Sequence, residues 1–352
     1  MKKIFLAMTA AAAMLAACNN SGVSYNITLT APEDLGDLRL VCDGGEVGKS
    51  AFKFDAATNT YTLKGHSDEV DAAAIVDHND AIVSSLFLEK GNILVQYDEA
   101  SDSFIASGTK SNDAMNEYQP QLLAFMTELD LNPVLSDEEK EALFDRFYNM
   151  VFEIIDLNSD NLYGATLLAG SGTMLLEPAE ILDYIDKFPK ELQDSKILAP
   201  VKSHAEAQLK TAVGSPYIEI TAPDVDGNDI ALSSVVGEGK WVLVDFWATW
   251  CGPCCGELPY LKAAYEKYAD KGFEIYGVSL NNDAEAWKEF LPQNGMNWIN
   301  VIGIRSDKSS PAADDYGINT IPANFLIAPD GRIAAKDLRG EAVEAKLAEI
   351  FE

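Results

Sequence analysis

The sequence predicts an α/β domain at the C-terminal end of the chain, preceded by a β-rich module and a helical segment. Three changes of period predict it. From Ser24 to about Thr109 apolar and polar residues alternate in short runs; from Ser111 to Val213 the apolar spacing becomes helical; after Gly214 strand-like and helix-like stretches take turns. A chain of 352 residues, 47% of them apolar, is long enough to bury the cores this requires.

The β-rich module, residues 18–110, is read from Tyr25-Asn26-Ile27-Thr28-Leu29, Tyr61-Thr62-Leu63 and Ile93-Leu94-Val95-Gln96-Tyr97. Turn signals at Gly44-Gly45, Asn79-Asp80 and Gly91-Asn92 separate the runs, so a β-sandwich or a meander is expected. In the helical segment, 111–213, Leu143, Phe147, Met150, Val151 and Ile154 share one face. Ser136 and Glu139 make a capping-box signature, and Pro178 suits the first turn of a helix that buries Ile181, Leu182 and Ile185. These stripes are read as core.

Gly214-Ser215-Pro216 breaks the helical pattern and opens the third segment, 214–352. There Trp241–Trp247 reads as a buried strand, Gly252–Asp270 as a helix and Phe273–Ser279 as a strand. Asp283–Leu291 follows as a helix, and Trp298–Ile302 and Ala323–Ile327 as strands. Arg332–Lys336 is the hairpin partner across Asp330-Gly331, and Glu341–Phe351 the last helix. Such alternation predicts a mostly parallel sheet.

Residues 1–17 stand apart from this fold. Lys2 and Lys3 precede an apolar run from Ile4 to Leu15, which reads as an export signal and is too short for the roughly 20 helical residues that span a membrane. Leu15-Ala16-Ala17-Cys18 resembles the lipobox of bacterial lipoproteins, which implies lipidation of Cys18, cleavage before it and anchoring by several acyl chains. A plain secretory peptide with an incidental Cys18 is the alternative. Without its first 17 residues the chain keeps 24 Lys and Arg against 56 Asp and Glu. That balance argues against nucleic acid and anionic membrane surfaces as partners, while solubility alone accounts for the acidity.

Beyond Cys18 the cysteines are Cys42, Cys251, Cys254 and Cys255, too few for a disulfide scaffold. Three of them lie within five positions, and in an exported protein that clustering reads as chemistry, because a staple gains little by closing so short a loop. The stretch Val244-Asp245-Phe246-Trp247-Ala248-Thr249-Trp250-Cys251-Gly252-Pro253-Cys254 is a strand that ends in Cys-x-x-Cys at the start of a helix. Unsatisfied N–H groups and the positive end of the helix dipole there favour a thiolate, so Cys251 is the expected nucleophile. Cys254, on the same face one turn on and expected to be more buried, is the resolving thiol. Pro253 fits a helix start, and Gly252 leaves the approach to Cys251 open. Half of a zinc site is the rival reading; it needs two more ligands, yet His66, His78 and His204 all lie outside this segment.

This stretch resembles the active-site signature of the thioredoxin superfamily nearly residue for residue. Tyr316-Gly317-Ile318-Asn319-Thr320-Ile321-Pro322 likewise resembles the family's cis-proline segment. The resemblance covers residues 214–352 and implies a thioredoxin-like domain of the AhpC/TSA kind. It implies that Pro322 faces the disulfide, that the backbone at Ile321 pairs with substrate, and that Asp245 is the buried carboxylate that takes the proton of the resolving cysteine. Glu257 matches a second acid of the membrane-tethered branch, and Pro259 the kink proline of the family helix. A carboxylic acid in apolar surroundings titrates upward, which suits it to proton exchange near neutrality. A structural acid at Asp245, a helix-surface residue at Glu257 and an ordinary trans Pro322 are the bland alternatives. Trp247 and Trp250 flank the site, Trp250 as an apolar contact for substrate. The order of modules is similar to that of thioredoxin-like lipoproteins with an N-terminal domain of unknown function.

Cys255 departs from the pattern, standing where thioredoxins usually carry a basic residue. Rotated about 100° from Cys254 on the helix, it reads as a bystander thiol, with a regulatory or alternative resolving role as the sharper option. The expected activity is thiol–disulfide exchange with disulfide-containing proteins outside the cytoplasm. It needs no cofactor beyond the Cys251–Cys254 pair, and its electron donor is not identified by the sequence. A peroxiredoxin needs Pro-x-x-x-Thr-x-x-Cys, and Val244 and Ala248 occupy those positions. A surface binding lipoprotein that uses the fold as scaffold is the rival of another class, and the intact dithiol with both acids speaks against it. Gly252-Pro253 lacks the histidine with which oxidants of the superfamily over-stabilise the thiolate, so a reductant is expected.

Overall fold

The computed structural model describes residues 22–42, 45–46, 52–67, 70–131 and 135–352. Cys18, the export segment and Gly44 of one turn signal lie outside the described residues. The chain forms two compact units, the first ending at Leu167 and the second being Leu168–Glu352. The helical stretch read as one segment, 111–213, is thus shared between them.

The first unit holds β1 (Val23–Thr30), β2 (Arg39–Cys42), β3 (Gly45–Glu46), β4 (Lys53–Asp55), β5 (Thr60–Ser67), β6 (Asp71–Val76), β7 (Ile82–Leu88), β8 (Gly91–Asp98) and β9 (Ser103–Ser107). The strands form two sheets, ordered β4-β5-β1-β8-β9 and β3-β2-β6-β7. Tyr25, Ile27 and Leu29 of β1 and Ile93 and Val95 of β8 share one core with Leu40 of β2, Ile75 of β6 and Leu86 and Leu88 of β7. Of the two expected forms this is the sandwich, and β1 runs parallel to β8, a pairing that no meander contains. Helices α1 (Lys110–Leu131), α2 (Asp137–Leu157) and α3 (Leu162–Leu167) complete the unit. Buried Asn112 holds both the N–H and the carbonyl of Phe87, which ties α1 to β7. The expected capping box opens α2, with Ser136 and Glu139 satisfying each other's backbone.

In the second unit a π-turn, Leu168–Gly172, leads into α4 (Thr173–Leu175), α5 (Pro178–Ile185), α6 (Lys190–Gln193) and α7 (Leu198–Lys210). Pro178 stands in the first turn of α5, as expected; Ile181 and Ile185 are buried there and Leu182 is half-buried. Next come β10 (Thr221–Pro223), β11 (Asp229–Ala231), β12 (Trp241–Trp247), α8 (Gly252–Tyr268), β13 (Phe273–Ser279), α9 (Ala284–Gln293) and β14 (Ile299–Ile302). The chain ends with α10 (Pro311–Asp315), β15 (Ala323–Ile327), β16 (Ile333–Lys336) and α11 (Glu341–Phe351).

Five strands make one thioredoxin-like sheet in the order β14-β13-β12-β15-β16. Only the β12–β13 and β13–β14 pairings are parallel; β15 is antiparallel to both β12 and β16. The expectation of a mostly parallel sheet is therefore corrected to a mixed one. The short turn at Asp330-Gly331 leaves β15 and β16 no alternative, because parallel neighbours need a long crossover.

Central β12 is buried from Val242 to Trp247 because apolar layers cover both faces. Leu243 and Trp247 share a core with Leu258 and Leu261 of α8, Trp287 of α9 and Leu347 of α11. Val242, Val244 and Phe246 pack on the other face with Tyr276, Tyr316 and Phe325. Asp245 falls on the α8 face by this alternation, next to Gly277 on β13 and Asn324 on β15. Gly277 has no room for a larger residue, since a Cβ there would come within 2.8 Å of Asn300 Oδ1.

Candidate active site

The chain leaves the centre of the sheet at Trp247 and turns into α8 within a few residues. Buried Asn281, just past β13, shapes that turn. Its Oδ1 accepts the Thr249 N–H at 2.9 Å and its Nδ2 donates to Thr249 Oγ1 at 2.6 Å. Cys251 is the N-cap of α8, and its Sγ accepts the Cys254 N–H at 3.2 Å, the role an oxygen side chain usually fills. Pro253 sits in the first turn, where its missing N–H leaves nothing unsatisfied.

Cys251 and Cys254 are joined in a disulfide with their Cα atoms 5.3 Å apart. Both are buried, at 5% and 3% exposure, so the expected contrast between an open nucleophile and a hidden partner is slight. Beside them Gly252 and Pro253 are exposed, and Trp250 stands 65% exposed as an apolar platform. The Ile321–Pro322 bond is cis, and the Ile321 carbonyl oxygen lies 3.7 Å from Cys251 Sγ. The fold thus brings the proline segment to the sulfur across 70 residues of sequence.

Asp245 is buried, at 6% exposure. Burial pushes its titration up from 3.8 to about 7; Arg339 opposes that rise and Glu257 adds to it. Glu257, half-buried on α8, accepts the Gly340 N–H at 2.7 Å, so it is a tethered side chain and not a free surface acid. Pro259 lies inside α8, where it offers the helix no N–H. The Cys255 thiol donates to the Thr249 carbonyl at 3.6 Å. Among the described residues no group of three or more His, Cys, Asp and Glu side chains is placed to hold a metal ion.

Three neighbours escaped the sequence reading. Asn324 was visible as the one polar residue in the run Ala323–Ile327, and Asn281 as a polar residue after a strand, although nothing in their spacing assigned either a task. Arg339, whose guanidinium donates to the Pro322 carbonyl, gave no signal.

A sulfur pair that closes and opens at a helix start, beside an exposed aromatic and a buried acid, equips a protein to exchange its own disulfide for those of others. Comparison with known proteins gives the lineage. The AhpC/TSA family model matches residues 213–336. The thiol-disulfide oxidoreductase ResA of Bacillus anthracis is 33% identical over 138 residues, which cover 39% of this chain and 76% of the relative. The ResA of Bacillus subtilis strain 168 is 31% identical over 134 residues, covering 38% and 71%. Among solved structures, the thioredoxin domain of a thiol-disulfide oxidoreductase from Bacteroides vulgatus has 36% identity and a TM-score of 0.38, covering 40% of this chain and 99% of that one. The chain belongs to the AhpC/TSA family, and its activity is that of a thiol-disulfide oxidoreductase.

Proposed function

We propose that the protein reduces disulfides of exported proteins while held at the cell envelope by a lipid on Cys18. The observation that carries the reductive direction is the dipeptide between the cysteines. Gly252 and Pro253 place no hydrogen-bond donor or charge beside Cys251 beyond the helix start itself, and Asp245 and Glu257 add negative charge that disfavours a thiolate. In this reading the Cys251 thiolate attacks a substrate disulfide and one substrate sulfur leaves as a thiolate. The backbone at Ile321 and Pro322 and the ring of Trp250 align the substrate strand. Cys254 then gives its proton to Asp245 and attacks Cys251 Sγ. The substrate leaves with both sulfurs reduced, and the protein keeps the Cys251–Cys254 disulfide. A dithiol donor outside the cytoplasm must return the two electrons, and no other cofactor takes part.

Equilibration of the purified protein against glutathione tests the direction. The expected potential lies well below about -180 mV, the region of disulfide isomerases, and a value above it would reject the reductant reading.

The N-terminus supports the location: a short apolar run bounded by Lys3 and Cys18 fits lipoprotein export. The domain plan that goes with it is a leader of residues 1–17, a β-module from 18, helices from 111 and the redox domain from 214. Mass spectrometry of the membrane fraction should find an acylated peptide beginning at Cys18. Recovery of the protein in the soluble fraction with an unmodified Cys18 would sink the anchor.

A further inference from the structure

Residues 337–340, between β16 and α11, form a strap against the site. Buried Asn324 donates from Nδ2 to the Leu338 carbonyl at 2.8 Å and accepts the Leu338 N–H at Oδ1 at 2.9 Å. The Asp337 N–H donates to the Asn324 carbonyl at 2.8 Å. At the far end the Gly340 N–H reaches Glu257 on α8. Gly340 has φ 54° and ψ -128°, a conformation that only glycine adopts without strain. Arg339 lies between these fixed points. Its Nη2 donates to the Pro322 carbonyl and lies 3.4 Å from Asp337 Oδ1, and its Nη1 donates to the Leu338 carbonyl at 3.0 Å.

We propose that Arg339 is a positioning residue, which holds the carbonyl of the cis proline from a strap that is itself bonded to Asn324, the strand neighbour of Asp245, so that the substrate-facing loop and the surroundings of the proton acceptor are set by one side chain. This rests on the roles given above to Asp245 and Pro322. Among the described residues the charged groups that act on Asp245 are Arg339 from the strap, itself 3.4 Å from Asp337, and Glu257 from α8; its neighbours Gly277 on β13 and Asn324 on β15 are uncharged. Once reduced, Cys251 and Cys254 add their thiols from the start of α8.

The test compares Arg339→Met and Arg339→Lys in the full chain, with dithiothreitol as donor and either a protein disulfide or a small aromatic disulfide as substrate. Loss of the charge should move the acid limb of the rate profile upward by on the order of one pH unit. Loss of the hold on Pro322 should raise KM several-fold for the protein substrate and leave the small disulfide unaffected. Arg339→Lys should restore the pH midpoint, since the charge remains, but not the KM, since an ammonium cannot reproduce the planar fork. An Arg339→Met variant that loses only thermal stability or kcat, with midpoint and KM unmoved, overturns the proposal. If Arg339→Met does not fold, Arg339→Lys decides alone: a raised KM at an unmoved midpoint supports the proposal, and an unmoved KM rejects it. Asp245→Asn run in parallel separates the two readings. If the acid limb survives in that variant, the role of Asp245 fails, and the KM effect still judges the hold of Arg339 on Pro322.

Discussion

Cys251→Ser should abolish disulfide reduction, and Cys254→Ser should accumulate mixed disulfides joined to the protein through Cys251. The asymmetry follows from the start of α8. Cys251 Sγ accepts the Cys254 N–H and stands beside the Ile321 carbonyl, at the surface that exposed Trp250 extends. Attack of the Cys251 thiolate on an incoming disulfide must occur there, and a serine hydroxyl, which does not ionise near neutrality, cannot replace the thiolate. Removing Cys254 leaves the first step intact and deletes the second, so the covalent intermediate persists. Electrophoresis without reductant, followed by peptide mapping, reads the result. Trapping through Cys255 would overturn the assignment, because its thiol is engaged with the Thr249 carbonyl.

Asp245→Asn should slow reduction at neutral pH by about a hundredfold, the lower range for loss of a general base, and should stabilise the fold above neutrality. The sign of the second effect follows from titration. The carboxyl titrates near 7 when folded and near 3.8 when freely exposed to water, so between those values the folded chain binds the extra proton. Stability at this site is therefore full below about pH 4, falls as pH rises through 4 to 7, and stays reduced above 7. The gap between the two values corresponds to about 4 kcal/mol as an upper bound. Asparagine carries no charge to desolvate, so thermal unfolding of the oxidised variant at pH 8 should occur above the wild-type temperature, with the difference vanishing near pH 4. Equal unfolding temperatures at pH 8 would remove Asp245 from the role of buried acid.

The redox core was legible because its physics is local. A strand, a dithiol and a helix start follow one another within eleven residues, and the period of apolar positions fixed β12 to within a residue of its observed span. The cis proline segment was legible only through its resemblance to a known signature, since no local rule places Pro322 against Cys251. The mixed direction of the sheet was missed because alternation of strands and helices says nothing of which way the final hairpin runs. Arg339 was invisible for a deeper reason. Its partners, the Pro322 carbonyl and the field of Asp245, are set by tertiary packing, and its own neighbours in sequence show only a charged turn before a helix.

The cap of α8 is itself the reacting sulfur, and this makes folding and redox two edges of one thermodynamic square. The Cys254 N–H already reaches the sulfur in the disulfide, so what separates the two redox forms is how much more the N–H and the helix start give to a thiolate than to a neutral sulfur. By closure of the square, the same amount appears as a difference in unfolding free energy between the two redox forms and as a displacement of potential from that of the unfolded chain, about 30 mV for each 1.4 kcal/mol. A mutation anywhere that loosens the first turn of α8 is then a redox mutation, even where it touches neither cysteine.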